Sequence, residues 1–213
     1  MPLTEDVVVR RKDNRRAVAL EERLASIQEV AGRMFAARGF NGTSLRDVAA
    51  GVGLSPAGLL HYFPDKVALL EAVLDARLGT IADEFGLETG DGETFVRGLV
   101  AVAKRDEAEP EVLRLFCVLS AEALDAANPA HGYFTRWFGQ VRSHLQAAFE
   151  DLDRRGLYCG WPITPAQAAV NVSALRDGVN LQWLLAPDEV DRVGTIRASF
   201  APYVKLDLTG QQR

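Results

Sequence analysis

Thr43 to Lys66, TSLRDVAAGVGLSPAGLLHYFPDK, gathers side chains that can read another molecule by hydrogen bonding. Arg46 carries a guanidinium, which can bond guanine O6 and N7 at once, and is the best direct reader of a base edge. His61 and Tyr62 are the largest polar groups near the end of the stretch. Ser55, Ala57 and Gly58 are small enough to let a backbone lie close to a groove. Catalytic chemistry finds no comparable arrangement. The histidines are His61, His131 and His144, and none shares a metal-ligand spacing with another. Glu122, Asp125 and His131 straddle a helix end and an Asn128-Pro129 turn, and neither a nucleophile motif nor a phosphate loop occurs. The expectation is a binding protein and not an enzyme, with no metal and no cofactor.

Capping and glycine placement predict the elements that hold these groups. Ser44 can cap a helix start, and Asp47, three residues on, can return to the cap's own amide. Val48, Ala49 and Val52 give that helix an apolar face, and Gly51 and Gly53 stop it and let the chain turn. Ser55 caps a second helix, Pro56 takes its first position, Leu59 faces inward, and Phe63-Pro64 ends the run. Helix, short glycine turn, helix is the signature of a helix-turn-helix, whose second helix enters the DNA major groove.

The rest of the chain reads as all-α, with about nine helices and no strand-length alternation. A helix from about Leu20 to Arg38 carries Leu24, Ile27, Ala31, Met34 and Phe35 on one face. Before it, residues 1–19 hold Arg10, Arg11, Lys12, Arg15 and Arg16, and read as a flexible basic arm able to follow phosphates. From Lys66 a long helix keeps an apolar stripe through Val67, Leu70, Leu74, Leu78, Ile81 and Phe85, joining a head at 20–66 to a body at 67–207. Body helices are expected over about 93–104, 110–125, 130–155, 164–185 and 188–204, divided by glycine- and proline-containing breaks. A net charge of −5 requires any nucleic-acid affinity to come from local placement of charge. No apolar stretch is long enough to span a membrane, and the N-terminus has no secretory pattern. Cys117 and Cys159 lack metal spacing, so a cytoplasmic protein with two free thiols is expected.

The capped first helix, the T-S-L-R-D-V-A run, G-L-S-P-A-G-L-L-H-Y-F-P-D-K and the helix after it resemble the TetR family of bacterial transcriptional regulators, over about Leu20 to Leu74. The resemblance implies a regulator of transcription, in the first instance a repressor released from a palindromic DNA operator by a small-molecule effector. The same fold also serves regulators that are independent of ligand, controlled by a protein partner, or activating. Carried over residue by residue, Thr43, Ser44 and Lys66 are expected at phosphates, and Arg46, Ser55, Ala57, Gly58, Leu60, His61 and Tyr62 at the DNA face. Leu60 departs from the family, whose members usually carry tyrosine there; it can offer only apolar contact, such as to a thymine methyl.

Helix-turn-helix proteins gain affinity by dimerising across a palindrome. Apolar residues surround the segment Ala168 to Leu185, so it needs two partners. With the last helix it is expected to form a homodimer interface through Val172, Leu175, Val179, Trp183, Val193, Ile196 and Phe200. The resemblance also implies an effector pocket among the middle helices, and Phe95, Leu99, Phe116, Ser120, Trp137, Val141 and Asn171 are the expected lining. Glu122, Asn171, Asp177, Asn180 and Gln182 are polar residues on apolar helices. Each is expected to pair internally, face a partner subunit or meet a ligand.

Overall fold

The computed structural model describes residues 5–76 and 91–209, with side chains from residue 17 onward. Nine helices are present among them: α1 (Glu5–Arg38), α2 (Leu45–Gly51), α3 (Pro56–Leu60), α4 (Lys66–Leu74), α5 (Gly92–Asp106), α6 (Pro110–Glu122), α7 (His131–Arg154), α8 (Pro165–Leu185) and α9 (Arg192–Ala198). The chain is all-α, and the only β pairing among the described residues is an isolated antiparallel bridge between Tyr158 and Val204.

Capping chemistry sets most helix starts. Ser44, Ser55, Asp65, Asp91, Thr164 and Asp191 each accept an amide of the first turn, and Thr164 with Gln167 closes a full capping box. Two helices depart from expectation. α1 begins at Glu5, so the backbone of most of the expected arm is helical. The apolar stripe starts only near Leu24, but residues 10–23, rich in Arg, Glu and Ala and free of glycine and proline, can propagate a helix without one. α9 is seven residues long, not the expected run from 188 to 204. Beyond it the chain turns to pair with the break after α7: Cys159 N–H donates to Tyr203 O at 2.8 Å and Lys205 N–H to Leu157 O at 2.9 Å. The expected stripe residues Leu78, Ile81 and Phe85 lie outside the described residues.

Two cores result. The first joins Ile27, Ala31 and Phe35 of α1 to Val48, Ala49, Leu59, Leu69, Leu70 and Val73, and continues into Leu115, Phe116 and Leu119 of α6 and Phe134 of α7. The head therefore extends past 66 through α4, and it shares its core with the body. The second core holds Phe95, Val96 and Leu99 of α5, Leu145, Phe149 and Leu152 of α7, Ala168, Ala169, Val172 and Val179 of α8, and Ile196 and Phe200. Full burial of each such large side chain contributes roughly 1.5–3 kcal/mol.

Arg192, at the start of α9, is 1% exposed and ties the second core together. Its Nε donates to Asn180 Oδ1 at 2.7 Å, its Nη1 donates to the Ala103 carbonyl, and its Nη2 lies 3.5 Å from Asp106 Oδ2. Burial pulls its pKa down and Asp106 opposes that shift. Replacement of Arg192 by leucine is expected to cost about 3–5 kcal/mol of unfolding free energy, because it strands buried acceptors on α5 and α8. Denaturant melts of the two proteins measure this.

Candidate nucleic-acid interface

Local bonds fix where α3 stands. α1 stops at Gly39, whose φ of +71° favours glycine. Thr43 then turns inward: it is 2% exposed, and its hydroxyl lies 2.9 Å from Gly39 O and 3.2 Å from Met34 O. Lys66, the first residue of α4, spans the turn, donating to Phe40 O at 2.9 Å and Thr43 O at 3.0 Å. Its ammonium also sits 4.1 Å from the centre of the Phe40 ring. From α1, Arg23 donates to Val52 O at 3.3 Å, and Gln28 donates to Ala72 O at 3.3 Å.

Between α2 and α3, Gly53 takes φ +66° and Leu54 N–H returns to Ala49 O at 2.8 Å. Gly51 acts differently from the expected helix stop. It is the last residue of α2, and a Cβ there would meet Val30 Cγ1 at 2.9 Å, so it permits close approach to α1. Ser55 Oγ accepts the Gly58 amide at 3.0 Å, and Leu59 is fully buried. α3 presents Pro56, Ala57 and Leu60 (45% exposed) outward, His61 at its C-terminal cap is exposed, and so is Arg46 on α2. Tyr62 is half-buried against the head core, with its ring edge-on to His61 at 5.9 Å.

Several expected contacts are thus committed elsewhere. Thr43 is buried in the turn and its hydroxyl serves the carbonyls of Met34 and Gly39, which corrects the expectation of a phosphate contact through that group. Lys66 likewise serves two carbonyls. Gly58 is half-buried beside the cap, where a Cβ would meet Ser55 Oγ at 3.3 Å. Ser44 Oγ accepts the Asp47 amide at 3.1 Å and donates to Asp47 Oδ2 at 2.7 Å. That hydroxyl bond is the main cause holding the Asp47 carboxyl below its usual range. Nothing in residue type alone separates an ammonium that grips its own backbone from one that grips a phosphate.

In the body, Phe95 and Leu99 belong to the second core with Val141 at its edge, whereas Phe116 and Trp137 belong to the first. Ser120 Oγ donates back to Cys117 O at 3.2 Å. Asn171 is exposed and donates to the Tyr203 hydroxyl at 2.9 Å, which removes it from an internal lining. Asp177, absent from the expected lining, is the buried acid that matters. Its Oδ1 and the Trp137 Nε1 are buried and have no hydrogen-bond partner among the described residues. Burial raises the Asp177 pKa above the usual carboxylate value. α6 lies beside both groups: the Phe116 ring is 6.2 Å from that of Trp137, and Asp177 adds to burial in raising the Cys117 thiol.

The expected dimer residues divide sharply. Val172, Val179, Ile196 and Phe200 are buried within the protomer, Trp183 and Val193 are half-buried, and Leu175 is exposed. The buried four cannot form a surface between copies. The bare face of α8 is instead the stripe Val170, Ala174, Gly178, Leu181 and Leu185, where Leu185 is 78% exposed. A helix apolar all round does not reveal which face its own core takes. No cluster of three metal-ligating side chains occurs among the described residues, and no described helix is long and apolar enough to cross a membrane.

Comparison with known proteins supports the architecture. The profile of bacterial regulatory proteins of the tetR family matches residues 27–73. The HTH-type transcriptional regulator TtgR of Pseudomonas putida is 29% identical over 201 residues, covering 83% of this chain and 87% of the relative. The structure of the SmeT–triclosan complex superposes with a TM-score of 0.72 at 17% identity, over 88% of this chain and 94% of that one. NalD, the secondary repressor of the MexAB-OprM multidrug efflux pump in Pseudomonas aeruginosa, superposes with a TM-score of 0.68 at 15% identity, over 88% and 98%. At those identities the two structures speak for the fold alone.

Lys66 yields a discriminating prediction. Lys66→Met is expected to destabilise the protein by about 2–4 kcal/mol, through loss of two charge-assisted bonds to carbonyls. At a temperature where the variant is folded, its salt dependence of DNA binding should keep the wild-type slope, whereas loss of a phosphate contact would lower that slope by about 0.9. Thermal melts and DNA titrations at several salt concentrations measure both.

Proposed function

Because the chain belongs to the tetR family of bacterial regulatory proteins, and is therefore a DNA-binding transcriptional regulator and not an enzyme, we propose that it is a homodimeric repressor whose hold on a palindromic operator is released by a small molecule. In this reading Arg46 takes a guanine edge, Leu60 a thymine methyl, and His61 a base or phosphate, while Ser44 lies at the phosphates. Thr43, Ser55, Gly58 and Lys66 place those groups rather than touch bases. Tyr62 braces the helix end from the core side.

The outer stripe of α8 supports pairing with a second copy. Val170, Ala174, Gly178, Leu181 and Leu185 recur at helical spacing, and a Cβ added at Gly178 would meet nothing within 4 Å. Small residues between larger ones let two such helices approach closely. Leu181→Glu is expected to give a folded monomer with a weakened grip on the operator, because the carboxylate would have to be buried unpaired at the contact. Sedimentation velocity checks the oligomeric state and a thermal melt checks the fold; a dimer that persists contradicts the assignment.

The observation that carries ligand control is the unpartnered pair Trp137 Nε1 and Asp177 Oδ1, since buried polar atoms in native folds nearly always have partners. An aromatic compound with one acceptor for the indole N–H and one polar group for Asp177 fits that pair. SmeT, which shares the fold, is known in complex with triclosan, and that compound is therefore one to include as a probe. A set of aromatic compounds that includes triclosan, screened for release of labelled operator DNA, tests the proposal. At least one compound is expected to release the DNA, and its half-release concentration should rise about tenfold or more in Asp177→Asn or Trp137→Phe. Release at unchanged concentration in both variants contradicts the site.

A further inference from the structure

A carboxylate ties the reading head to the body at an unfavourable place. Glu122 is the last residue of α6, and its Oε2 accepts the Phe40 N–H at 2.7 Å, just beyond the end of α1. A negative group therefore sits at the C-terminal ends of two helices, where the dipoles favour a cation. The structure accommodates it in detail. A Cβ on Gly39 would lie 2.1 Å from Glu122 Oε1, so glycine serves there both for its φ of +71° and for the carboxylate laid against it. On the other side of the same residue, the Phe40 carbonyl takes the Lys66 ammonium at 2.9 Å. Phe40 is thus held by an acid from α6 at its N–H and a base from α4 at its C=O. The end of α6 is itself held: His131 Nδ1 lies 2.8 Å from Ala123 O.

A second link runs parallel: burial, and after it the Asp75 carboxylate just beyond α4, raises the Tyr133 hydroxyl of α7 above its usual pKa. Phe116, beside Trp137, and Glu122 lie on the same helix, about 9 Å apart along its axis. We propose that Glu122 is a positioning residue for DNA recognition: the strut through which the end of α6 sets the pose of the reading head. The proposal rests on the head being the DNA reader, and it stands whether or not the ligand site is the one assigned above.

Three variants of the full-length protein test it: Glu122→Leu, which removes the acceptor; Glu122→Asp, which keeps the charge but shortens the reach; and Glu122→Gln, which keeps an acceptor oxygen. The readouts are affinity for an operator duplex selected from a random pool, affinity for a scrambled duplex, and amide exchange across residues 39–43. In E122L, operator affinity is expected to fall about tenfold with scrambled-duplex affinity within about twofold of wild type, and exchange at Phe40 should accelerate. E122D should fall between wild type and E122L, and E122Q should bind within about threefold of wild type. If E122L does not fold, E122D and E122Q carry the same test. Wild-type operator affinity in E122D, equal losses on both duplexes, or an E122Q as impaired as E122L would overturn the strut. A wild-type protein that prefers no duplex would instead sink the DNA-reading assignment.

Discussion

A five-residue helix has no stability of its own, because nucleation fixes several residues before a second hydrogen bond is gained. α3 spans only Pro56–Leu60, so its position must be imposed from outside. The surroundings do so by dense local bonding. Ser55 caps its start, Leu59 anchors it in the core, and Leu54 and Val52 tie the preceding turn to α2 and α1. Behind these stands Lys66, whose ammonium joins the start of α4 to the α1–α2 turn. Hydrogen bonds to charged groups are worth about 1.5–3 kcal/mol each, more than the neutral bonds around them. In the proposed reading, recognition by Arg46, Leu60 and His61 therefore depends on contacts that none of them makes.

The same dependence governs the body. α6 contributes Leu115, Phe116 and Leu119 to the core of the head and ends on a carboxylate bonded to the Phe40 amide. Head and body are continuous in packing. α8 faces inward with Val172 and Val179 and outward with Val170, Leu181 and Leu185. One face completes the second core and the other remains apolar at the surface. Trp137, at the edge of the first core, and Asp177 of α8 carry buried polar atoms without partners among the described residues. Burial of an unpaired polar group costs about 1–3 kcal/mol, which a bound molecule with matching groups would recover.

Much of this is legible in the sequence because its signals are local. Ser55-Pro56, Asp65 and Thr164-Pro165-Ala166-Gln167 each name a helix start, and the structure places caps at all three. The all-α class and the helix-turn-helix follow from the same signals. What sequence cannot rank is the choice between two partners for one group. Lys66 could meet a phosphate or its own backbone; the carbonyls of Phe40 and Thr43 are distant in sequence and close in space. Val172 and Val179 could face a second copy or their own core, and periodicity is silent on which. The start of α1 is hidden because residues 5–23 carry no apolar stripe at helical spacing to reveal the helix. Glu122, Asp177 and Asn180 stand out as polar residues on apolar helices. Their roles differ, however: one bonds a backbone amide, one has an unpartnered oxygen, and one holds Arg192.

Selection of bound duplexes from a random DNA pool tests the central claim most directly. Two heads held on one dimeric body require an inverted repeat with half-site centres about one helical turn, roughly 10 base pairs, or a multiple of it apart. Enrichment of such a repeat, bound by one dimer per site, is the predicted result. A single asymmetric motif bound by one protomer, or no enrichment at all, would contradict the account.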